Sequence, residues 1–122
     1  MQMKYFEDLP LTPEVMKGIK ELGFTELFPI QAQAIVPLLE GKDVIGQAQT
    51  GTGKTAAFGI PMVERVDPKN RHVQGLVLAP TRELAIQVAQ RISLFSKYTQ
   101  LKVLPVYGGE SINKQIHALQ RG

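Results

Sequence analysis

The chain has 122 residues, of which 43% are hydrophobic and 20% charged, with a formal net charge of +3 at pH 7. This size and composition indicate one globular domain with a single core and exclude a low-complexity array, a secretory signal and a membrane-spanning segment. The absence of cysteine excludes disulfides and thiolate metal sites and is consistent with a cytoplasmic protein, while the positive charge only weakly favours an anionic partner.

Two helices are predicted before the first strand. Thr12-Pro13-Glu14 combines a capping hydroxyl, a proline suited to the first turn and an acid near the positive end of the helix dipole, and Gly23 ends this helix. The second helix begins near Pro29, is bent by Pro37 and ends before Gly41. Apolar residues at helical spacing support both helices, namely Val15, Met16, Ile19 and Leu22 in the first and Ile30, Ala34, Ile35 and Leu38 in the second.

Strands and helices then alternate three times. Such alternation predicts a parallel α/β layer structure with right-handed crossovers and with ligand sites at the carboxyl ends of the strands. The predicted strands cover residues 43–47, 75–79 and 102–107, and the helices that follow them run from Thr55 to about Val66, from Arg82 to Lys97 and onward from Ser111.

The loop at residues 48–55 carries the clearest chemical signal, because it joins a predicted strand to a predicted helix as a phosphate-binding loop must. Gly51 and Gly53 permit positive φ, so that consecutive backbone amides can converge on phosphate oxygens, while Lys54 adds a cation and Thr55 a hydroxyl for Mg²⁺. The strict pattern begins with glycine where this chain has alanine, and a chance match is the alternative. The candidate phosphate-binding residues are Ala48, Gln49, Thr50, Gly51, Thr52, Gly53, Lys54 and Thr55.

Four segments, in their order and spacing, resemble the Q motif, motif I, motif Ia and GG motif of the DEAD-box RNA helicases. They are Gly-Phe-Thr-Glu-Leu-Phe-Pro-Ile-Gln at 23–31, the loop at 48–55, Pro-Thr-Arg-Glu-Leu-Ala at 80–85, and Gly-Gly at 108–109. The resemblance implies an α/β fold of the RecA-like P-loop NTPase type with a three-layer parallel sheet. It also implies an ATP-dependent RNA helicase that uses ATP/ADP and Mg²⁺ and binds RNA. The first segment departs from the family pattern where Leu27 and Phe28 stand for the usual Pro and Thr.

The resemblance further implies an adenine pocket formed by Phe6, Phe24 and Gln31. A glutamine amide can accept from the N6 amine of adenine and donate to N7, a pairing that guanine cannot satisfy, so Gln31 implies ATP over GTP. A polar residue on a solvated helix face is the alternative for Gln31. Phe6 is similar to the upstream aromatic that stacks on adenine in the family, and a core anchor is its alternative.

RNA contacts are implied for Pro80, Thr81 and Arg82, and for Gly108 and Gly109. A cation in the first turn of a helix opposes the helix dipole, so Arg82 indicates an anion nearby, either an RNA phosphate or a protein carboxylate. The two glycines could let RNA phosphates approach the backbone, or they could form a plain tight turn.

Several parts of a phosphoryl-transfer site are not found in the sequence, since no apolar strand after the loop ends in Asp-Glu or Asp-Asp. We therefore interpret residues 1–122 as a partial, truncated N-terminal RecA-like domain, with a Q-motif region at 1–41 and a P-loop core at 42–122. We expect weak adenine-nucleotide binding without hydrolysis, and self-association through exposed sheet edges. Another P-loop NTPase, a DNA helicase and a non-hydrolysing nucleotide- or RNA-binding module are the alternatives.

Overall fold

The computed structural model describes residues 3–51 and 53–122. Within these ranges all five predicted helices are present, and a short 3₁₀ turn precedes them at Phe6–Asp8. The helices are α1 (Pro13–Glu21), α2 (Pro29–Leu39), α3 (Lys54–Arg65), α4 (Arg82–Phe95) and α5 (Ile112–Gln120).

The helix ends follow the local chemistry of the sequence. The Oγ1 atom of Thr81 accepts a hydrogen bond of 3.1 Å from the amide of Leu84 and so caps α4. Gly23 lies just past α1 with φ of 77°, in the left-handed region that ends helices. Both α2 and α3 continue through an internal proline, Pro37 and Pro61 respectively.

The cap of α1 differs from the prediction. Thr12 is the residue before the first helical turn, but its hydroxyl donates to Oε2 of Glu64 at 3.0 Å instead of capping its own helix. Its backbone amide also donates to the same carboxylate. The Glu64 carboxylate is charged and therefore accepts strongly. The bond to it ties the start of α1 to α3, although 52 residues of sequence separate donor and acceptor.

The core is made by helices packing on helices. α3 lies between α2 and α4, and α1 packs against both α3 and α4. The stripes predicted for α1 and α2 supply Val15, Ile19 and Ile35 to this core. Its other buried members are Phe6, Leu9, Ala56, Ile60, Val63, Val88, Ile92 and Phe95.

The three predicted strands are not formed, and the three-layer parallel sheet is therefore not present in this structure. Among the described residues, no backbone hydrogen bond joins residues 43–47, 75–79 and 102–107 to one another. Within residues 3–51 and 53–122, the one β pairing is an isolated antiparallel bridge between Tyr5 and Glu26. A strand needs a neighbour about 4.8 Å away to pair its amides and carbonyls, so apolar sequence alone does not make a sheet.

Two of these segments nevertheless have the side-chain pattern of an extended chain. Exposure alternates with a period of two along residues 76–80 and 101–107, as it does when one face of a strand is packed. Val77 and Val103 face the helical core, whereas Leu76 and Leu78 are 78% and 87% exposed. The helices thus cover one side of these segments and leave the other side apolar and open.

Candidate nucleotide-binding site

The loop at 48–55 turns into α3 through two glycines with positive φ. Gly51 has φ of 81° and Gly53 has φ of 76°, and Gly53 is the residue immediately before the helix. Both values lie where only glycine is unstrained, so the glycines are required by the backbone path and not only by the motif. Thr52, which the sequence also assigns to phosphate binding, lies outside the described residues.

The start of α3 has the features of an anion-binding site. The first amides of a helix have no carbonyl partner within it, and Gly53 has no side chain that could cap them. Lys54 and Thr55 are the first two residues of α3, so the ammonium group and the hydroxyl belong to the turn that carries these amides. Lys54 is exposed and Thr55 is half-buried. Unpaired amides, the positive end of the helix dipole and an ammonium group together favour a polyphosphate.

Gln31 joins the helix α2 to this loop. Its Nε2 donates to the carbonyl of Gly53 at 3.1 Å, and its Oε1 accepts from the amide of Phe28 at 2.9 Å. The residue is only 2% exposed, so it is not a polar residue on a solvated face. A Cβ atom added at Gly53 would collide with Nε2 of Gln31, which means that the amide fills the space beside the loop.

Phe6 and Phe24 form part of the core. The Phe6 ring is 2% exposed and lies 5.4 Å from the Phe24 ring, which in turn lies 6.1 Å from the Phe95 ring. The guanidinium of Arg91 lies over Phe24 at 5.6 Å from the ring centroid. Phe6 therefore has the contacts of a core anchor, because its ring is enclosed by protein.

The two segments assigned to RNA are adjacent in the structure. Nη1 of Arg82 lies 3.5 Å from the carbonyl oxygen of Gly108, and a Cβ atom at Gly109 would lie 3.0 Å from the same nitrogen. Gly109 has φ of 88°, so a side chain there would be strained. The Arg82 guanidinium also makes a long ion pair of 3.8 Å with its neighbour Glu83, and Pro80 and Thr81 are exposed beside it.

Whether the loop suits Mg²⁺ depends on the Thr55 hydroxyl as a protein ligand. The described residues contain no group of three or more histidine, cysteine, aspartate or glutamate side chains able to hold a metal by themselves. Mg²⁺ in nucleotide sites takes phosphate oxygens, waters and few protein ligands, so one hydroxyl at the loop is compatible with it.

Sequence reasoning noted Phe28 only as a departure from a family pattern and gave it no role. The structure places its ring against the phosphate loop, where a Cβ atom at Gly53 would lie 3.0 Å from Cδ2 of Phe28. The sequence signal for this contact was the position of Phe28 three residues before Gln31, at the start of α2.

A glycine-bounded loop that opens into a helix beginning with Lys-Thr defines the class of P-loop nucleotide-binding proteins. The family model of the DEAD/DEAH box helicases matches residues 28–122, and the chain belongs to this family. The predicted resemblance is thereby confirmed.

Individual relatives agree with this assignment. The chain is 57% identical over 119 residues to a DEAD-box ATP-dependent RNA helicase CshA of Geobacillus kaustophilus, covering 98% of this chain and 26% of that protein. It is 54% identical over 116 residues to CshA of Bacillus subtilis, covering 95% of this chain and 24% of the relative. The chain thus spans about a quarter of the length of these curated relatives.

A crystal structure shows the same fold. The crystallised DEAD box protein from the hyperthermophile Methanococcus jannaschii superposes with a TM-score of 0.87 at 37% identity, over 99% of this chain and 33% of that one. The described segments therefore follow the path they take in a DEAD box protein, although the sheet hydrogen bonds are not formed here. In the part of the chain that the structure describes, no helix has the length and apolarity to cross a membrane.

Proposed function

We propose that this chain binds the phosphates of an adenine nucleotide at the loop 48–55 and contributes this site to an ATP-dependent RNA helicase. The open start of α3, with Gly53 in the left-handed region and Lys54 and Thr55 in the first turn, is the observation that carries the proposal. The names of the relatives support the helicase part, since the proteins that this chain resembles at 57% and 54% identity are ATP-dependent RNA helicases.

The roles within the loop follow from its chemistry. The backbone from Ala48 through Gly53 would donate amides to the phosphate oxygens, Lys54 would neutralise charge on the terminal phosphate, and the Thr55 hydroxyl would hold Mg²⁺. Gln31 would hold the last glycine of the loop in place through its bond to the Gly53 carbonyl. The adenine contacts implied for Phe6 and Phe24 stay predictions, and Phe6 is buried against Phe24 in this structure.

RNA is the proposed second ligand. Arg82, Gly108 and Gly109 meet at one exposed place, next to the start of α4 where Pro80 and Thr81 lie. A guanidinium, helix-start amides and a glycine backbone that admits close approach are the groups that bind a sugar-phosphate backbone. Binding of a short single-stranded RNA that weakens steeply with salt would support this, and competition with DNA of the same sequence would test the preference for RNA.

The finer fold is also a proposal. We infer that residues 43–47, 75–79 and 102–107 become strands of a three-layer parallel sheet when neighbouring strands are supplied, with 1–41 as the Q-motif region and 42–122 as the P-loop core. The superposition on a DEAD box protein supports this inference. Another copy of the chain is one source of neighbours, because Ile45, Leu76 and Leu78 are 102%, 78% and 87% exposed. Sedimentation velocity over a range of concentrations would detect such self-association.

Isothermal titration with Mg²⁺ and ADP tests the nucleotide site. Lys54→Ala should weaken binding by roughly ten- to a hundredfold, since a charge-assisted bond to phosphate is lost. Lys114→Ala is the matched control, because Lys114 is an exposed lysine on α5, which packs against neither α2 nor α3 within the described residues. Equal affinity of both variants and the parent chain would contradict the proposal.

Turnover is a separate question from binding. Of the groups that phosphoryl transfer requires, the site offers a loop lysine and one Mg²⁺ ligand, so we expect this chain by itself to bind ATP in a cytoplasmic setting without hydrolysing it. A phosphate-release assay with and without RNA measures this directly. Turnover that disappears in Lys54→Ala would overturn the expectation.

A further inference from the structure

The turn at residues 108–110 is held at both ends by one side chain, that of Gln115 on α5. Its Oε1 accepts a hydrogen bond from the Tyr107 amide at 3.0 Å, and its Nε2 donates to the Tyr107 carbonyl at 3.2 Å. The same Nε2 lies 3.4 Å from the carbonyl oxygen of Ser111, on the other side of the turn. Gln115 therefore contacts both the residue before the turn and the residue after it.

These bonds fix the end of an extended segment that has no strand neighbour. Tyr107 ends the segment 102–107, and within the described ranges no backbone hydrogen bond reaches its amide or its carbonyl. A carboxamide presents an acceptor and a donor side by side, as a neighbouring strand does to a backbone. The side chain of Gln115 thus takes the place of a strand neighbour at this point.

The turn needs such support because it begins with two consecutive glycines. Glycine loses more conformational freedom on ordering than any other residue, so a Gly-Gly turn without contacts samples many conformations. In this structure Gly109 has φ of 88°, and the Gly108 carbonyl oxygen lies 3.5 Å from Nη1 of Arg82. A turn that is already ordered in the free chain does not lose this freedom again when a ligand binds.

Arg82 can contact a ligand from the same place. Its guanidinium is exposed, and its contacts to the Gly108 carbonyl at 3.5 Å and to the Glu83 carboxylate at 3.8 Å are both long. A phosphate group that approached this guanidinium would also meet the glycine turn. Whether the turn lies beside Arg82 depends in turn on the bonds that Gln115 makes to its two ends.

We propose that Gln115 is a positioning residue for RNA, which orders the turn 108–110 beside Arg82 so that both contact the same stretch of sugar-phosphate backbone. The inference rests on the proposed RNA site and adds to it a residue that does not itself touch the RNA. Gln115 is half-buried and uncharged. It should therefore affect the affinity for RNA without affecting the number of phosphate charges that the protein neutralises.

The test measures binding of a fluorescently labelled oligouridylate to the whole chain by anisotropy over a range of salt concentrations. Gln115→Met should weaken binding by about 3- to 10-fold, the net contribution of one hydrogen bond, and leave the slope of affinity against salt unchanged. Methionine is a helix former equal to glutamine, so α5 should persist. The affinity for ADP should stay the same, because α5 packs against neither α2 nor α3 within the described residues.

Gln74→Met is the matched control, because Gln74 holds another turn by the same kinds of bond. Its Oε1 accepts from the Asp67 amide at 3.0 Å, and its Nε2 donates to the carbonyls of Asp67 and Asn70 at 2.8 Å and 3.3 Å. The segment 75–79 separates this turn from Pro80, where the RNA segment begins. Gln74→Met should therefore lower stability to a similar extent and leave the RNA affinity unchanged.

A double-mutant cycle shows whether Gln115 acts through the turn beside Arg82. The variant that carries both Gln115→Met and Arg82→Ala should lose less RNA affinity than the product of the two single losses, because the two residues serve one contact. In an amide NMR spectrum, the resonances of Gly108 and Gly109 should shift in Gln115→Met, and they should shift in the parent chain when RNA is added.

Three outcomes would overturn the inference. The first is an RNA affinity that Gln115→Met leaves unchanged. The second is an equal loss in Gln74→Met, which would trace the effect to stability alone. The third is a pair of independent losses in the cycle with Arg82→Ala. RNA binding by the chain would still stand in each of these cases, whereas a parent chain that does not bind the RNA would remove the proposed RNA site and the inference together.

Discussion

The helices and the extended segments are two regions of the molecule whose backbone hydrogen bonds are satisfied in different ways. In the helical region, amides and carbonyls bond within each helix, and α1 to α4 pack into one core around Ile60, which is 0% exposed. In the second, the segments 75–79 and 102–107 have no backbone partners among the described residues, and Leu78 is 87% exposed. A helix is complete within its own sequence, whereas a strand depends on a neighbour that comes from elsewhere.

The largest contrast should appear when an equal truncation is made in each region. Ile60→Ala removes buried methyl groups from the contact between α3 and its neighbours and should lower the free energy of unfolding by about 2–5 kcal/mol. Leu78→Ala should change it by less than about 0.5 kcal/mol, because the side chain is already in water. Urea unfolding followed by circular dichroism measures both values.

A concentration dependence would sharpen this comparison. If copies of the chain pair through the open segments, Leu78→Ala should become destabilising as the protein concentration rises, while the effect of Ile60→Ala stays constant. Equal effects of the two truncations at low concentration would contradict the picture of one closed and one open region.

The second prediction concerns the hydrogen bonds that tie α2 to the phosphate loop. Gln31→Ala leaves the Phe28 amide and the Gly53 carbonyl without their partner and should cost about 1–3 kcal/mol of stability. Gln31→Glu keeps the acceptor for Phe28 but cannot donate to the Gly53 carbonyl while ionised, so it should also destabilise. Gln33→Ala, on the exposed side of the same helix, is the control and should be close to neutral.

These two regions also show which parts of the structure could be predicted from the sequence. The helices were predicted correctly because their apolar stripes and their ends depend on neighbouring residues, and the positive φ of Gly51 and Gly53 followed from the motif. The sheet stays a prediction, because strand pairing depends on distant segments and no such pairing joins the three segments among the described residues. The bond from Thr12 to Glu64 could not be predicted for the same reason, since 52 residues separate donor and acceptor.

Within the site, the sequence predicted which residue types are present but not which of them are accessible. Whether Phe6 stacks on a base or anchors the core depends on the position of Phe24, which no local pattern specifies. The contact between Arg82 and Gly108 was not predicted, because these residues are 26 positions apart and the family resemblance implied only that each contacts RNA. The assignments that remain proposals are the ligand contacts themselves.

A smaller effect is expected at the start of α4, just after the extended segment 75–79. Thr81→Ala removes the acceptor for the Leu84 amide and should cost about 0.5–2 kcal/mol, whereas Thr81→Ser keeps the oxygen and should cost less. Thermal unfolding of the three proteins measures the difference. If both variants were equally destabilised, the hydroxyl would not be the group that matters, and α4 would owe its start to tertiary packing alone.

The smallest effect should come from the polar cluster that joins the end of α1 to the end of α4. Nζ of Lys97 lies 2.6 Å from Glu21, the Tyr98 hydroxyl donates to the same carboxylate, and Lys17 lies over the Tyr98 ring at 4.3 Å. The bonds from Lys97 and Tyr98 lower the pKa of Glu21 below its ordinary value of 4.5. The bond to Glu21 raises the pKa of Lys97 above 10.5 and that of Tyr98 above 10.0.

Because these pKa shifts have opposite signs, the cluster loses its contribution to stability at both ends of the pH scale. Because the Glu21 pKa is lowered by folding, its contribution is present above about pH 4.5 and is lost as the pH falls through the lowered value. Because the pKa values of Lys97 and Tyr98 are raised, their contribution is present below about pH 10 and is lost as the pH rises through the raised values. Glu21 and Lys97 are exposed and Tyr98 is half-buried, so solvent screening keeps both losses small. Glu21→Gln should flatten the melting temperature against pH at both ends. Glu26→Gln, which alters an exposed carboxylate outside the helices without a bonded partner among the described residues, should leave the curve unchanged. A curve that Glu21→Gln does not alter would show that the aromatic and apolar contacts between α1 and α4, and not this cluster, hold the two helices together.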